Sequence, residues 1–306
     1  MLKLAHIMMG YSCNSHCQHC VVQVKRGKAE SNENGNDLAT SEILERIDLE
    51  LARGANEIVL TGGEPTIRKD ILEIIQQLKD KRVKIQIQTN GTMTEVIKQI
   101  VGTFSQQNAN RLSFMIPLHS CNPEINDHIS QLQGSFYKAN KSIVILTQNR
   151  IPVIGKIVYT NYTDNLEAIV NFYVSLGVQK IIIAYPHCVS FTDEMVRKVA
   201  PRLNKVKDAL LFLVASKHRN IVSLQGFPLC VVHKMFDTVQ ECDPNYLKEV
   251  HMEIQYTDAK LLWNDYRKRD KRKFKVCSSC RYDQQCEGIW KEYLRVYGED
   301  MSGVIF

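Results

Sequence analysis

LAHIMMGYSCNSHCQHC, residues 4–20, runs from a short apolar stretch, Leu4–Met9, straight into three cysteines, Cys13, Cys17 and Cys20. The apolar stretch reads as a strand. The cysteines occupy the loop at its C-terminal end, in Cys-x-x-x-Cys-x-x-Cys spacing. Three thiolates can hold three irons of a [4Fe–4S] cube and leave the fourth iron open, where a small chelating cofactor binds and accepts an electron. Two other readings stand on this motif alone. His16 and His19 lie inside it, and zinc accepts Cys and His ligands. Small thiols are also often simply buried.

Beyond this loop, strand and helix alternate for two-thirds of the chain. The strand candidates are Leu4–Met9, Glu57–Leu60, Val83–Gln88, Arg111–Leu118, Pro152–Tyr159 and Gln179–Tyr185. They are short and largely apolar on both faces, as strands of a covered parallel sheet are. Helical stripes lie between them. Ile43, Leu44, Ile47 and Leu51 precede Gly54, which suits a left-handed helix end. Asp70 stands where it can cap a helix carrying Ile71, Ile74, Ile75 and Leu78. Leu166, Ile169, Val170, Tyr173 and Leu176 form a further stripe, stopped by Gly177. The spacing suits right-handed βα units. Six of them predict an α/β fold, a partial (βα)6 barrel of TIM type, with its functional face at the C-terminal ends of the strands. Asp193–His218 reads as a long helix or a pair broken at Pro201. After Leu224 the alternation fades, and a boundary is expected near residue 220. It divides a barrel, 1–220, from a small C-terminal module, 221–306, that holds five of the ten cysteines. Ser31–Asp37 reads as a polar loop.

The 306 residues are 44% hydrophobic and 24% charged, a globular balance, and no apolar run approaches membrane-span length. A net charge of +6 does not by itself imply nucleic acid. With the cysteine loop so near the start, no signal peptide is read, and the chain reads as cytoplasmic. Ten cysteines in such a chain argue for metal ligands rather than disulfides.

The second strand ends in Thr61-Gly62-Gly63-Glu64-Pro65. Two glycines at a strand end let the backbone approach a ligand closely. Glu64 adds a carboxylate at the barrel mouth that can accept from an ammonium. A three-cysteine loop after the first strand, with Gly62-Gly63-Glu64-Pro65 after the second, resembles the radical S-adenosylmethionine (AdoMet) superfamily. The resemblance extends through Thr89-Asn90-Gly91 and through His119–Ser135, and covers roughly residues 1–220. It implies a [4Fe–4S] cluster on Cys13, Cys17 and Cys20 with AdoMet chelated at the open iron. Reductive cleavage of AdoMet would give a 5′-deoxyadenosyl radical that takes a hydrogen from the substrate. By the same resemblance, Gly62, Gly63, Glu64 and Pro65 match the segment that binds the methionine ammonium. His19 matches a position near the adenine, Asn90 a ribose contact and Ser120 a carboxylate contact. Pro117 stands where relatives often carry serine. Lys156, on the fifth strand, either pairs with that carboxylate or is an exposed lysine.

The C-terminal group is Cys277-x-x-Cys280-x5-Cys286, with Cys230 and Cys242 upstream. Cys-x-x-Cys is a common metal knuckle, so a four-cysteine zinc site is one reading. The segment also resembles the end of SPASM and Twitch domains, with Gly226–Cys230 as the upstream ligand region. That likeness implies an auxiliary [4Fe–4S] cluster on Cys230, Cys277, Cys280 and Cys286, Cys242 being the alternative to Cys230. A full SPASM domain carries a further cysteine near the place of Trp290, so the shorter Twitch form fits. Tyr185, at the end of the sixth strand, and His187 and Cys188 just after it stand as candidate catalytic residues or as packing. Cys121 stands the same way. Arg267–Lys275 holds seven basic residues in nine, which reads as a solvated linker or a recruiting surface.

The resemblance implies radical AdoMet chemistry, with AdoMet, a peptide substrate and an electron donor such as flavodoxin or ferredoxin as partners. Modification of a ribosomally made peptide by cross-linking, epimerisation or oxidation is the first expectation. A small-molecule or nucleotide- or tRNA-modifying enzyme similar to the molybdenum-cofactor cyclase is the second. A zinc-bearing nucleic-acid-binding protein is the alternative from another class.

Overall fold

The structure, a computed structural model, describes residues 4–23, 37–104, 106–243, 250–252 and 263–299. Residues 31–36 of the expected polar loop lie outside them. The elements follow in chain order as β1 (Leu4–Met8), α1 (Thr40–Ala52), β2 (Glu57–Thr61), α2 (Ile71–Asp80), β3 (Lys84–Gln88), α3 (Thr94–Gly102) and β4 (Leu112–Pro117). There follow α4 (Pro123–Ser130), α5 (Ser135–Gln148), β5 (Val153–Val158), α6 (Leu166–Ser175), β6 (Lys180–Ala184), α7 (Asp193–Val199) and α8 (Leu203–Leu210). The remaining elements are β7 (Val222–Gln225), β8 (Val250–Met252), α9 (Trp263–Asp270), β9 (Lys271–Arg272), β10 (Ile289–Trp290) and α10 (Lys291–Tyr297).

One sheet carries the fold, in the order β7-β6-β5-β4-β3-β2-β1-β8, with every pairing parallel. It curls into the expected partial barrel with helices outside. All six expected strands form. The sheet also takes in β7 and β8, both beyond residue 220. β7 is four residues long and half polar, too brief a signal to stand out in the sequence. The helix pair breaks at Pro201, as expected, and Gly54 and Gly177 take left-handed φ of 92° and 83°. Asp70 sits at the N-cap of α2 but caps nothing. Its carboxylate instead accepts from Arg68 and from Thr40 Oγ1.

Alternation along β4 and β5 separates two faces. Phe114 and Ile116, like Val153, Gly155 and Ile157, are buried, whereas Met115, Pro117, Ile154, Lys156 and Val158 keep partial access. Gly155 identifies the buried face as the one under the helices, because a Cβ there would lie 2.9 Å from the Tyr173 ring of α6. The Tyr173 hydroxyl then donates to the Ile116 and Lys156 carbonyls at 2.8 and 3.2 Å. Met115 and Lys156 therefore face the lumen. A Gly155→Ala change should displace the ring and loosen those hydrogen bonds, at a cost of about 1–3 kcal/mol. Chemical denaturation of the metal-free chain measures it, and an unchanged midpoint would contradict this account of the helix layer.

Candidate active site

The cysteine loop leaves β1 and is held from three sides. Gly63 N and Glu64 N donate to the Gly10 and Ser12 carbonyls at 2.9 and 2.8 Å. The approach is close. A Cβ on Gly63 would lie 2.0 Å from Ser12 O, and one on Gly62, whose φ is 135°, would lie 2.6 Å from Gly10 O. On a second side, His16 N and Gln18 N donate to the Ser130 and Ile129 carbonyls at the end of α4. On a third, Asn90 Nδ2 donates to Asn14 Oδ1 (2.7 Å) and Ser15 Oγ (3.0 Å), and Asn14 Nδ2 donates to Thr92 Oγ1.

Glu64 sits beneath this arrangement, 2% exposed. Its Oε1 accepts from Thr66 N (2.9 Å), Thr66 Oγ1 (2.5 Å) and Thr89 Oγ1 (2.6 Å), and its Oε2 from Asn90 N (2.6 Å). Burial pushes its pKa above the ordinary carboxylate value, and these hydrogen bonds oppose that shift. The carboxylate is thus turned into the protein rather than presented at the mouth, contrary to the expectation from the motif. Pro65, also buried, opens the short turn that lets Thr66 reach back to Glu64.

Two further ties carry no pattern that marks them in the sequence. Asp37 Oδ1 accepts from Tyr11 N (2.7 Å) and Ser12 N (3.0 Å). Against the upward push of burial, these bonds and Arg68 hold its pKa below the usual range. Arg68 donates to the Met9 and Leu38 carbonyls at 3.0 and 2.9 Å.

His19 lies edge-on to His119, with ring centroids 4.4 Å apart. Burial lowers the His19 pKa to about 4, and burial together with the neighbouring His19 lowers that of His119 well below its ordinary value, so both rings are neutral at pH 7. Nδ1 of each is buried with no hydrogen-bond partner among the described residues. Ser120 is fully buried, and its hydroxyl donates to Asp164 Oδ2 and accepts from Asn122 N. Lys156 is not the exposed surface lysine of the blander reading. It lies in the lumen, walled in by protein, and donates to Gln225 Oε1 at 2.5 Å.

Cys230, Cys277, Cys280 and Cys286 line one pocket, together with Phe274 and Gly288. Cys242 is not in its lining, although its thiol feels Cys286. Backbone amides point at the sulfurs. Tyr282 N donates to Cys280 Sγ, and Leu229 N and Gly288 N to Cys286 Sγ, each at 3.4 Å. Ser15 N meets Cys13 Sγ in the same way. Such N–H···S contacts suit sulfurs that act as charged metal ligands. Burial, then the neighbouring thiols, push Cys230 up to about 12, a cost that a bound metal removes. Among the described residues, no three His, Cys, Asp or Glu stand close enough to share a single ion.

Arg267–Lys275 runs from α9 into β9 and is solvated only in part, with Lys268, Arg269, Arg272, Lys273 and Lys275 exposed. Arg267 is 2% exposed and Lys271 5%. Arg267 Nη2 meets Glu287 Oε1 at 3.1 Å, with its Nη1 4.0 Å from Glu241 Oε1. Lys271 Nζ meets Glu287 Oε2 at 2.9 Å, and Lys273 pairs with Asp283. Arg267, Lys271 and Lys273 thus answer acids that flank the pocket thiols. His187 is stacked on Trp290, centroids 3.8 Å apart, with Trp263 and Tyr266 edge-on, and burial and Lys271 lower its pKa to about 3. The Tyr185 hydroxyl donates to the Pro201 carbonyl. Cys188 is 2% exposed, and burial lifts its thiol to about 12. These are the placements of packing residues at the seam between the barrel and the C-terminal segment.

A radical SAM superfamily model matches residues 7–173. The chain belongs to this superfamily. It is therefore an enzyme, and membership implies AdoMet and the [4Fe–4S] cluster for which Cys13, Cys17 and Cys20 are spaced. The zinc-bearing nucleic-acid alternative gives way. A probable GTP 3′,8-cyclase of Thermococcus kodakarensis is 30% identical over 42% of this chain and 38% of its own length. An AdoMet-dependent heme synthase of Methanosarcina barkeri is 29% identical over 46% of this chain and 38% of its own length. The chain thus spans well under half the length of each. In structure, Streptococcus suis SuiB bound to precursor peptide SuiA aligns with 96% of this chain and 73% of its own, at a TM-score of 0.67 and 15% identity, which shows a shared fold. SuiB bound to AdoMet aligns at a TM-score of 0.65. Among the described residues no helix is long and apolar enough to cross a membrane.

Replacing Glu287 by alanine removes the carboxylate that Lys271 pairs with and the nearer of the two that face Arg267, and should cost about 3–5 kcal/mol. Limited proteolysis should then cut the segment after residue 263 before it cuts the barrel. Equal protection in both chains would remove Glu287 from this role.

Proposed function

We propose that this radical SAM enzyme modifies a ribosomally made peptide, by cross-linking, epimerisation or oxidation at one of its residues, with a second [4Fe–4S] cluster beside the substrate. The observation that carries the reading is the pocket of four thiols, Cys230, Cys277, Cys280 and Cys286, with amides aimed at its sulfurs. The likeness in fold to a protein solved with a precursor peptide supports the same substrate class.

When bound, the cluster and AdoMet supply one-electron cleavage of AdoMet and removal of a hydrogen atom from the substrate. The chain's own residues position and shield. Cys13, Cys17 and Cys20 hold the first cluster. The backbone of Gly62 and Gly63 receives the methionine end of AdoMet, and His19, steadied by His119, borders the adenine. Asn90 and Ser120, whose side chains already bond within the protein, act first as ties between the loops. A flavodoxin or ferredoxin is the proposed electron donor. A small-molecule substrate is the second reading, favoured by the named activities of the two sequence relatives, a GTP cyclase and a heme synthase.

Anaerobic reconstitution should give about eight irons per chain, and about four in Cys280→Ala. Four in the unaltered chain would remove the auxiliary cluster. Cys17→Ala should abolish formation of 5′-deoxyadenosine from AdoMet under dithionite. Turnover with peptides encoded beside the gene should shift their mass by about −2 Da for oxidation or cross-linking, or about +1 Da in deuterated water for epimerisation.

A further inference from the structure

Lys156 lies midway along β5 and faces the lumen, on the side opposite Gly155 and the helix layer. Its lateral neighbours in the sheet are Pro117 and Ile182, whose side chains offer no acceptor. Its ammonium therefore reaches over the β6 row to Gln225 Oε1 on β7. That is the one side-chain acceptor it meets among the described residues, and none of them forms an ion pair with it within 4 Å. Burial lowers its pKa to about 8, and Glu241 opposes the shift. Glu241 does not contact it. Glu241 Oε1 accepts from Gly226 N at 2.7 Å and lies 4.0 Å from Arg267. Among the described residues, the lumen thus holds a desolvated cation whose one hydrogen-bond partner is a neutral amide, with the nearest carboxylate influence, Glu241, out of contact.

A lone ammonium in such a place is costly unless a counter-ion arrives. The side chain keeps partial access to the lumen, so one can. The position favours a substrate over AdoMet. β5 lies four strands from β1 and its cysteine loop, and the ammonium leans the other way, toward the end of β7. Gly226 follows directly, and Cys230 of the thiol pocket is four residues further on. A single ammonium is a point charge that matches one carboxylate. A polyphosphate would call for several cations converging.

We infer that Lys156 anchors a carboxylate of the substrate in the lumen, between the first cysteine loop and the C-terminal thiol pocket. The inference deepens the proposed function and rests on it. An acidic side chain or a C-terminal carboxylate of a peptide supplies this group, and so does the acid group of a small molecule.

The test compares the full-length chain with Lys156→Met, which keeps the length of the stem and removes the charge. Glutarate is the carboxylate probe, glutaramide its neutral counterpart and inorganic pyrophosphate the phosphate probe. Glutarate should raise the melting midpoint of the unaltered chain saturably, and glutaramide should not. Lys156→Met should melt no lower than the parent without ligand, because it loses an unpaired buried charge, and its glutarate affinity by calorimetry should fall at least about tenfold. Four results overturn the inference. They are no glutarate shift in the parent, an equal shift in the variant, a larger Lys156-dependent shift with pyrophosphate, and loss of the shift when AdoMet is saturating. The last would assign Lys156 to the AdoMet carboxylate. Cleavage of AdoMet by the unaltered chain is assayed separately. Its absence would sink the proposed function, whereas its presence without a glutarate effect would sink only the anchor.

Discussion

The buried carboxylate of Glu64 is the tie on which the catalytic face depends. Parallel strands end side by side, but nothing in the sheet ladder fixes the loops that leave them. Glu64 accepts from Thr66 on its own turn and from Thr89 and Asn90 at the end of β3. Asn90 then donates to Asn14 and Ser15 in the cysteine loop, and the amides of Gly63 and Glu64 donate to Gly10 and Ser12. Three strand ends are thereby joined by hydrogen bonds, several of them out of water, where such bonds are strong and a missing partner is costly. A cluster held by three thiolates takes its position from the loop that carries them.

This explains why the motif reads so clearly in the sequence while its chemistry reads less well. Gly62-Gly63-Glu64-Pro65 announces a special strand end, and the structure confirms a tight one. A sequence presents glutamate as a charge offered to a ligand. It does not show that Thr66, Thr89 and Asn90 will converge on both oxygens, because those partners come from two strand ends. Asn90 and Ser120 follow the same logic. The six strands and the break at Pro201 were legible because period and punctuation are local properties. β7 was not, since four half-polar residues carry almost no periodic signal.

The C-terminal segment shows the opposite failure. Seven basic residues in nine look like a solvated surface, since lysine and arginine are rarely buried unless paired. Their acids, Glu241, Asp283 and Glu287, are scattered through the neighbouring sequence, two of them among the cysteines. Once Arg267 and Lys271 share Glu287, the run becomes the frame of the thiol pocket. Tyr185, His187 and Cys188 were drawn into packing by the same segment, because Trp290 and Tyr266 cover the end of β6.

Charge compensation then separates structure from function within one region. Arg267, Lys271 and Lys273 are cations answered by carboxylates, and each answer holds two segments of chain together. Lys156 lies part-buried on β5 and, among the described residues, is answered at close range by an amide alone. A group whose only task were stability would be better replaced by an apolar side chain of the same volume. A lysine that weakens the empty barrel and strengthens the filled one is what a binding site requires, since stability and activity trade against each other where a site is preorganised. Under the inference drawn for Lys156, the distribution of counter-ions, more than the positions of the cysteines, marks the substrate's place in this barrel.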